Sequence, residues 1–187
     1  NYQKHMVEAI KELLKNKRLM QLLLWFALLG VMGKIYFFTY NPYLELVNIP
    51  YSEVGIIFFA INIFAFITSR YAFQIQQKLN CVGFGFAFLL QGTTMLIQAS
   101  FTHYLSGWLL GLQGITRGYI STVTEPYLNK EIESKKRATM LSFYSTLFSL
   151  LQVLGFLITS PLSGDITTLI MVLGVTAILL AFLSRKV

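Results

Sequence analysis

The chain has 187 residues, of which 55% are hydrophobic and 12% are charged, and its formal net charge is +7. This composition excludes a disordered chain and an ordinary soluble domain. The only cysteine, Cys81, excludes an internal disulfide and a cysteine-based metal cluster. No basic stripe with interleaved aromatic residues lies outside the apolar segments, so we expect no nucleic-acid partner.

The first eighteen residues are polar and basic and contain no cleavable signal peptide. Val7, Ile10 and Leu14 fall on one face at helical spacing, which predicts an amphipathic linker helix in residues 1–18 on the inner membrane surface. Because the sequence opens on an asparagine, we expect it to be a piece of a longer protein.

Six apolar runs follow the linker, each close to the ~20 residues that a helix needs to cross the hydrocarbon of a bilayer. They cover residues 19–41, 53–74, 82–101, 104–127, 138–160 and 166–184. The predicted fold is therefore an all-α membrane protein with a six-helix transmembrane bundle in residues 19–187. The first three and last three helices start on opposite sides of the membrane, which predicts a 3+3 inverted repeat.

Positive charge is confined to one side of this predicted membrane. The cations on that side are Lys4, Lys11, Lys15, Lys17, Arg18, Arg70, Lys78, Lys130, Lys135, Lys136, Arg137, Arg185 and Lys186. The opposite connections, residues 42–52, 102–103 and 161–165, contain neither lysine nor arginine. The positive-inside rule then predicts that both termini are cytoplasmic, and we expect contact with anionic lipid head groups.

Charged side chains at membrane depth are rare, because each costs at least ~2.5–3.5 kcal/mol at a helix centre. Lys34 in the first predicted helix and Arg117 in the fourth are the cations at such depth, and Glu125 lies near the inner end of the fourth. Lys34 can anchor an anionic group, or it can extend to the interface or form a structural ion pair.

The fourth helix carries two stripes at helical spacing. Gly107, Gly111, Gly114 and Gly118 form a small-residue face, which lets a neighbouring backbone approach closely. Gln113, Arg117, Ser121 and Thr124 form a polar face about 100° away. Because lipid cannot satisfy an arginine, we interpret the polar face as the lining of a cavity.

Polar residues in the other helices complete the candidate cavity. They are Tyr40 and Asn41 in the first helix, Asn62 in the second, Gln91 in the third and Gln152 in the fifth. Interhelical hydrogen bonding is an equally good account of Gln152.

Catalytic and cofactor sites are not expected. The two histidines, His5 and His103, lie at or beyond the membrane edge, so no Ser–His pair or histidine metal site can form inside the bilayer. There is no phosphate-binding glycine loop. The sequence therefore predicts a protein that is not an enzyme and that has no cofactor or metal.

Several strings resemble the carboxy-terminal half of a major facilitator superfamily transporter, over essentially the whole chain. They are Tyr40-Asn41-Pro42-Tyr43-Leu44, Tyr51-Ser52-Glu53-Val54-Gly55, Arg117-Gly118, Tyr127-Leu128-Asn129-Lys130-Glu131-Ile132 and Arg137-Ala138-Thr139-Met140-Leu141-Ser142. The last two are similar to bacterial permeases, including drug-efflux-like members. The loop after the second helix departs from the family pattern, because it is basic but has neither the aspartate nor the glycines.

The resemblance implies one half of a twelve-helix facilitator in a bacterial cytoplasmic membrane, whose other half is an amino-terminal six-helix bundle. It implies transport of a small solute by alternating access, with a proton as the expected coupling ion. Arg70, Glu125 and Arg137 are candidates for a cytoplasmic gate. Two intramembrane cations favour an anionic or zwitterionic substrate, whereas carboxylates from the other half would instead favour a cationic drug. Two alternatives stay open: a non-transporting scaffold or receptor, and an autonomous six-helix carrier that dimerises.

Overall fold

The fold is described by a computed structural model that covers residues 16–79, 83–131 and 137–184, where all secondary structure is helical. The helices are α1 (Lys17–Phe38), α2 (Tyr40–Leu46), α3 (Tyr51–Leu79), α4 (Phe84–Ser100), α5 (Tyr104–Trp108), α6 (Gln113–Glu131), α7 (Arg137–Thr159) and α8 (Ile166–Leu183). Short 3-10 helices cover Leu109–Leu112 and Ser160–Leu162. Of the predicted linker helix, residues 1–18, positions 1–15 lie outside the described residues.

Four of these helices are long and apolar enough to cross a membrane: α1, α3, α7 with its 3-10 extension, and α8. The third predicted span, α4, has only 17 residues. The fourth consists of α5, a 3-10 turn and the polar helix α6. The all-helical prediction is confirmed, and the apolar helices indicate a membrane protein.

Polar side chains outside the apolar runs set two of the helix starts. The Asn16 side chain accepts a hydrogen bond from the backbone N–H of Leu19 at 3.1 Å, so α1 begins at Lys17. Asp165 caps α8 in the same way, accepting from the backbone N–H of Thr168 at 3.1 Å. Such caps satisfy amide groups that have no partner within the helix.

The connection after α1 is more helical than the hydropathy pattern suggests. The Thr39 amide donates to the Tyr36 carbonyl at 2.9 Å, three residues back, so the chain tightens there and restarts as α2. Pro42 lies in the first turn of α2, where a missing N–H costs nothing.

At the far end of the second span, α3 continues past residue 74 to Leu79, through good helix formers such as Gln76 and Lys78.

The helix α6 packs on α3 through glycines at close range. A Cβ added at Gly114 would overlap the carbonyl oxygen of Ile61, and one at Gly118 would overlap that of Ala65. A Cβ added at Gly111, in the 3-10 turn before α6, would stand 3.5 Å from the Ala60 Cβ. The predicted small-residue face is therefore confirmed for these three glycines, and their order along the two helices shows that α3 and α6 run parallel.

The fourth glycine of that stripe packs elsewhere. Gly107 lies in α5, and a Cβ there would stand 2.9 Å from Ile49 and 3.2 Å from Leu44, both near the connection after α2. Gly107 precedes the 3-10 turn, Gly111 lies within it, and Gly114 and Gly118 follow it in α6.

Two further helix pairs complete the bundle. The helices α4 and α8 are antiparallel, because Gly92 meets Ile178 while Leu96, one turn later, meets Gly174. The helices α1 and α7 are parallel. Gly30 faces Phe148 with 2.8 Å between a virtual Cβ and the ring, and Gly155 faces Ile35 with 2.7 Å to its Cδ1. Slightly more than half of the apolar stretch of α1 is buried. Few residues are buried in the apolar stretch of α3 and none in that of α7, where residues are half-buried or exposed.

Candidate ligand cavity

A cavity of about 590 Å³ lies between α1, α3 and α6, with single residues of α2, α4 and α7 reaching its wall. We call it the central cavity. Seven of the nine residues predicted from the sequence line it: Lys34, Tyr40, Asn62, Gln91, Gln113, Arg117 and Ser121. Its volume lies within the range of about 300–1,000 Å³ that is typical of small-molecule sites.

The other two predicted residues lie elsewhere. Asn41 is exposed on α2, because the tightened turn at Thr39 breaks the helical register that would place it above Lys34. Gln152 is half-buried on α7, one turn beyond Phe148, and does not line the cavity.

Two of the three candidate gate residues, Arg70 and Arg137, do not line the central cavity. Arg70 is exposed on α3. Arg137 donates from Nη2 to the Asn129 carbonyl at 3.2 Å, which ties the start of α7 to the end of α6. Glu125 belongs to α6 by its backbone, and its side chain is outside what the structure describes.

Two cations and no acid line the central cavity among the residues that the structure describes. Lys34 and Arg117 are both exposed, and neither forms an ion pair with a described residue. The Lys34 ammonium lies 5.7 Å and 5.6 Å from the ring centroids of Phe37 and Phe38. Such contacts contribute about 0.5–1 kcal/mol at exposed sites, so they do not replace a counter-ion.

Two buried polar atoms at the cavity wall lack partners. Gln91 is 1% exposed and Thr116 is 4% exposed, and both line the cavity. Neither Gln91 Oε1 nor Thr116 Oγ1 has a hydrogen bond to any described residue. A buried group left in this state costs about 1–3 kcal/mol, so each favours a bound molecule or water that supplies the missing bond.

Other polar side chains at the wall are engaged within the protein. Gln113 Nε2 donates to Thr94 Oγ1, joining α6 to α4. Asn62 Nδ2 donates to the Phe58 carbonyl at 2.7 Å, one turn earlier in α3. Ser121 Oγ donates to the Gly118 carbonyl at 3.2 Å. These bonds fix side-chain positions without requiring a ligand.

An aromatic wall covers one side of the cavity. The rings of Phe37 and Tyr40 lie 5.3 Å apart between centroids, and Phe58 lies 6.5 Å and 6.3 Å from them. Phe148 enters from α7. Nothing in the sequence singles out Phe58 or Phe148, since 16 phenylalanines are spread through the chain.

Thr116 was also missed, although a signal for it exists. It lies three residues after Gln113, so it belongs to the same broad face of α6. Thr124, which was assigned to that face, is buried and donates to the Ile120 carbonyl at 2.7 Å, away from the cavity lining.

A second polar cluster lies where α1 meets α2 and α4 meets α5, and we call it the tyrosine network: Tyr36, Tyr43, Gln98 and Ser106. The Tyr36 hydroxyl donates to Gln98 Oε1, and Gln98 Nε2 donates to the Ser106 carbonyl at 3.1 Å. The Tyr43 hydroxyl lies 2.9 Å from the Gln98 carbonyl and 2.6 Å from Ser106 Oγ. All four residues are buried. They lie on α1, α2, α4 and α5, so this network joins four helices.

The arrangement can hold a small molecule, and the described residues that line it include no histidine or acidic residue. Within the described segments, no three histidine, cysteine or acidic residues are grouped so that they could bind a metal ion. No protein-family model, characterised protein or solved structure matches the chain.

Proposed function

We propose that this chain belongs to a secondary active transporter and forms one six-helix half of a twelve-helix protein of the major facilitator type. The observation that carries the proposal is the central cavity, which holds polar and cationic groups in the middle of an apolar bundle. Arg117 lies near the middle of the fourth predicted span, which covers residues 104–127. Substrate sites of such transporters lie near the bilayer midplane.

The pairing of helices supports an inverted repeat. The six predicted spans correspond to α1, α3, α4, α5–α6, α7 and α8. The three close pairs are α3 with α6, α1 with α7, and α4 with α8. If the first span is exchanged with the fourth, the second with the fifth and the third with the sixth, the same three pairs are obtained. A two-fold axis in the membrane plane requires the self-paired third and sixth spans to be antiparallel, and α4 and α8 are antiparallel.

We place the protein in a bacterial cytoplasmic membrane because of its resemblance to bacterial permeases. The cation distribution in the sequence supports an orientation with both termini inside. The partners are lipid, an amino-terminal six-helix bundle and a small solute. Alternating access then consists of the two bundles rocking about the central cavity. We take a proton gradient as the energy source to be tested first.

The test is solute-dependent proton movement in proteoliposomes that contain the purified protein and a trapped pH dye. Drugs, sugars and organic anions are added in turn under an imposed pH gradient. We expect one class to move protons, and Arg117→Gln to abolish the signal because it removes a cation from the cavity. The matched variant Arg18→Gln changes an exposed cation outside the cavity and should transport normally.

Other outcomes separate the alternative functions. Saturable binding without flux, from protein correctly inserted in the liposomes, would contradict transport and favour a receptor or scaffold. Flux from protein shown by cross-linking to be a dimer of six-helix chains would replace the twelve-helix arrangement with an autonomous carrier.

A further inference from the structure

The lining of the central cavity restricts the chemistry of its ligand. Lys34 and Arg117 contribute two positive charges, and no described residue of the lining contributes a negative one. A cationic ligand in this cavity would be repelled by both positive charges. An anionic group would supply the counter-ion that both side chains lack among the described residues.

The arginine narrows the type of anion. A guanidinium presents a planar fork of N–H donors that matches two oxygens of a carboxylate or of a phosphate. Of the two, the carboxylate carries the smaller charge and costs less to remove from water beside an apolar wall. Arg117 makes no hydrogen bond to a described residue, so these donors are available to a ligand. The exposure of its side chain leaves room for that approach.

A second recognition element is the unpartnered acceptor on α4. Gln91 Oε1 requires a donor, such as a hydroxyl or an N–H group. The amide nitrogen of the same side chain lies 3.5 Å from where a Cβ on Gly33 would stand, and Gly33 itself lines the cavity. The side-chain amide of Gln91 therefore reaches the cavity wall at Gly33, where it can meet a ligand.

The remaining lining suits an apolar body. Phe37, Tyr40 and Phe58 form the aromatic wall, and Leu29 and Ile61 add aliphatic surface. A ligand that placed only charge here would lose hydration without gaining contacts at this wall.

We infer that the central cavity binds an organic carboxylate that carries a hydroxyl or N–H donor beside an apolar, aromatic-sized body. Arg117 and Lys34 hold the carboxylate, Gln91 accepts from the donor and the aromatic wall covers the body. The inference rests on the proposed function, because it names the substrate class of the same cavity.

The test is equilibrium binding of four probes to the purified full-length protein in detergent, without any gradient. The probes are 3-phenyllactate, 3-phenylpropionate, which lacks the hydroxyl, methyl 3-phenyllactate, which lacks the charge, and phenylalaninol, which is cationic. We expect 3-phenyllactate to bind best and phenylalaninol worst. Tighter binding of phenylalaninol, or no saturable binding of any probe by folded protein, would overturn the inference.

Variants assign the charge and the hydroxyl preference to particular residues. Arg117→Gln should weaken 3-phenyllactate binding by about 10- to 100-fold and leave the methyl ester unchanged, because a hydrogen bond to a charged group is lost. Arg18→Gln should alter neither. Gln91→Leu should remove the preference for 3-phenyllactate over 3-phenylpropionate. Equal weakening of all probes would instead indicate a general structural effect and contradict the assigned roles.

Binding in detergent and flux in liposomes distinguish the two proposals. Binding of 3-phenyllactate without flux leaves the ligand class standing and contradicts transport. Flux of a cationic drug together with no carboxylate binding leaves transport standing and contradicts the ligand class.

Discussion

The central cavity and the tyrosine network are two polar regions of one bundle, and α4 contributes a glutamine to each. Gln98 is completely buried, and both ends of its amide are hydrogen-bonded, to Tyr36 and to Ser106. Gln91 lies two turns earlier and is buried to almost the same degree, yet its Oε1 has no partner among the described residues.

The difference separates polar groups that hold the helices together from polar groups that are left available to a ligand. A satisfied network specifies how helices meet, because every alternative packing would break its bonds. Unsatisfied buried groups reduce the stability of the empty protein and have no such structural benefit. The contrast therefore predicts opposite responses to substitution in the two regions.

The largest effect should come from the contact that positions one side of the cavity. Gly114 lies on α6, the helix that also carries Arg117, and packs against the backbone of α3 at Ile61. We expect Gly114→Ala to lower the unfolding free energy by about 3 kcal/mol or more, because the backbones must separate. Unfolding in mixed micelles, followed by circular dichroism, measures it.

The control for that change is Gly55→Ala. Gly55 is also helical, but nothing lies within 4 Å of the added methyl group. Its stability should be unchanged or higher by up to about 1 kcal/mol, since alanine is the better helix former. Equal losses in both variants would show that helix propensity, not close packing, governs these positions.

The most direct comparison replaces each α4 glutamine by leucine. Gln98→Leu should lower the unfolding free energy by about 2–3 kcal/mol, because Tyr36 and Ser106 lose their partners. Gln91→Leu should leave it unchanged or raise it by up to about 1 kcal/mol, because an unsatisfied acceptor is removed. Similar losses in the two variants would contradict the distinction between the regions.

A smaller effect is expected from one hydroxyl of the tyrosine network. Tyr43→Phe removes the bonds to the Gln98 carbonyl and to Ser106 while keeping the ring. We expect a loss of about 1–2 kcal/mol in unfolding free energy with no change in 3-phenyllactate affinity. A weaker affinity would mean that the network also shapes the cavity.

The smallest effect concerns a polar group in solvent. Hydrogen bonds from the Thr168 side chain, and then from its backbone amide, hold the pKa of Asp165 below its ordinary value. The ionised cap therefore stabilises the fold above the ordinary aspartate pKa, and this contribution is lost as the pH falls through the lowered value.

A pH series of thermal unfolding tests this assignment. Between neutral pH and pH about 3, the protein should lose slightly more stability than Asp165→Asn, which keeps a capping side chain but does not titrate. Parallel pH curves for the two proteins would show that the Asp165 cap contributes nothing measurable.

Much of the fold follows directly from the order of residues. The apolar runs predict the helices because a run of about 20 apolar residues leaves few other structures open in a bilayer. The glycine stripe predicts a packing face, and the structure confirms Gly111, Gly114 and Gly118 in it. Periodicity also grouped Gln113, Arg117 and Ser121, which the structure places along one cavity.

The identity of the neighbour that covers each face was decided only by the tertiary structure. Gln91 and Gln98 lie on the same face of α4, seven residues apart, yet one lines the central cavity and the other belongs to the tyrosine network. Asn41 follows Lys34 by seven residues, a spacing that would put both on one helix face, but the turn at Thr39 moves Asn41 off that face. Helical spacing fixes a side chain's direction from its own axis, whereas burial and hydrogen bonding depend on helices that are distant in sequence.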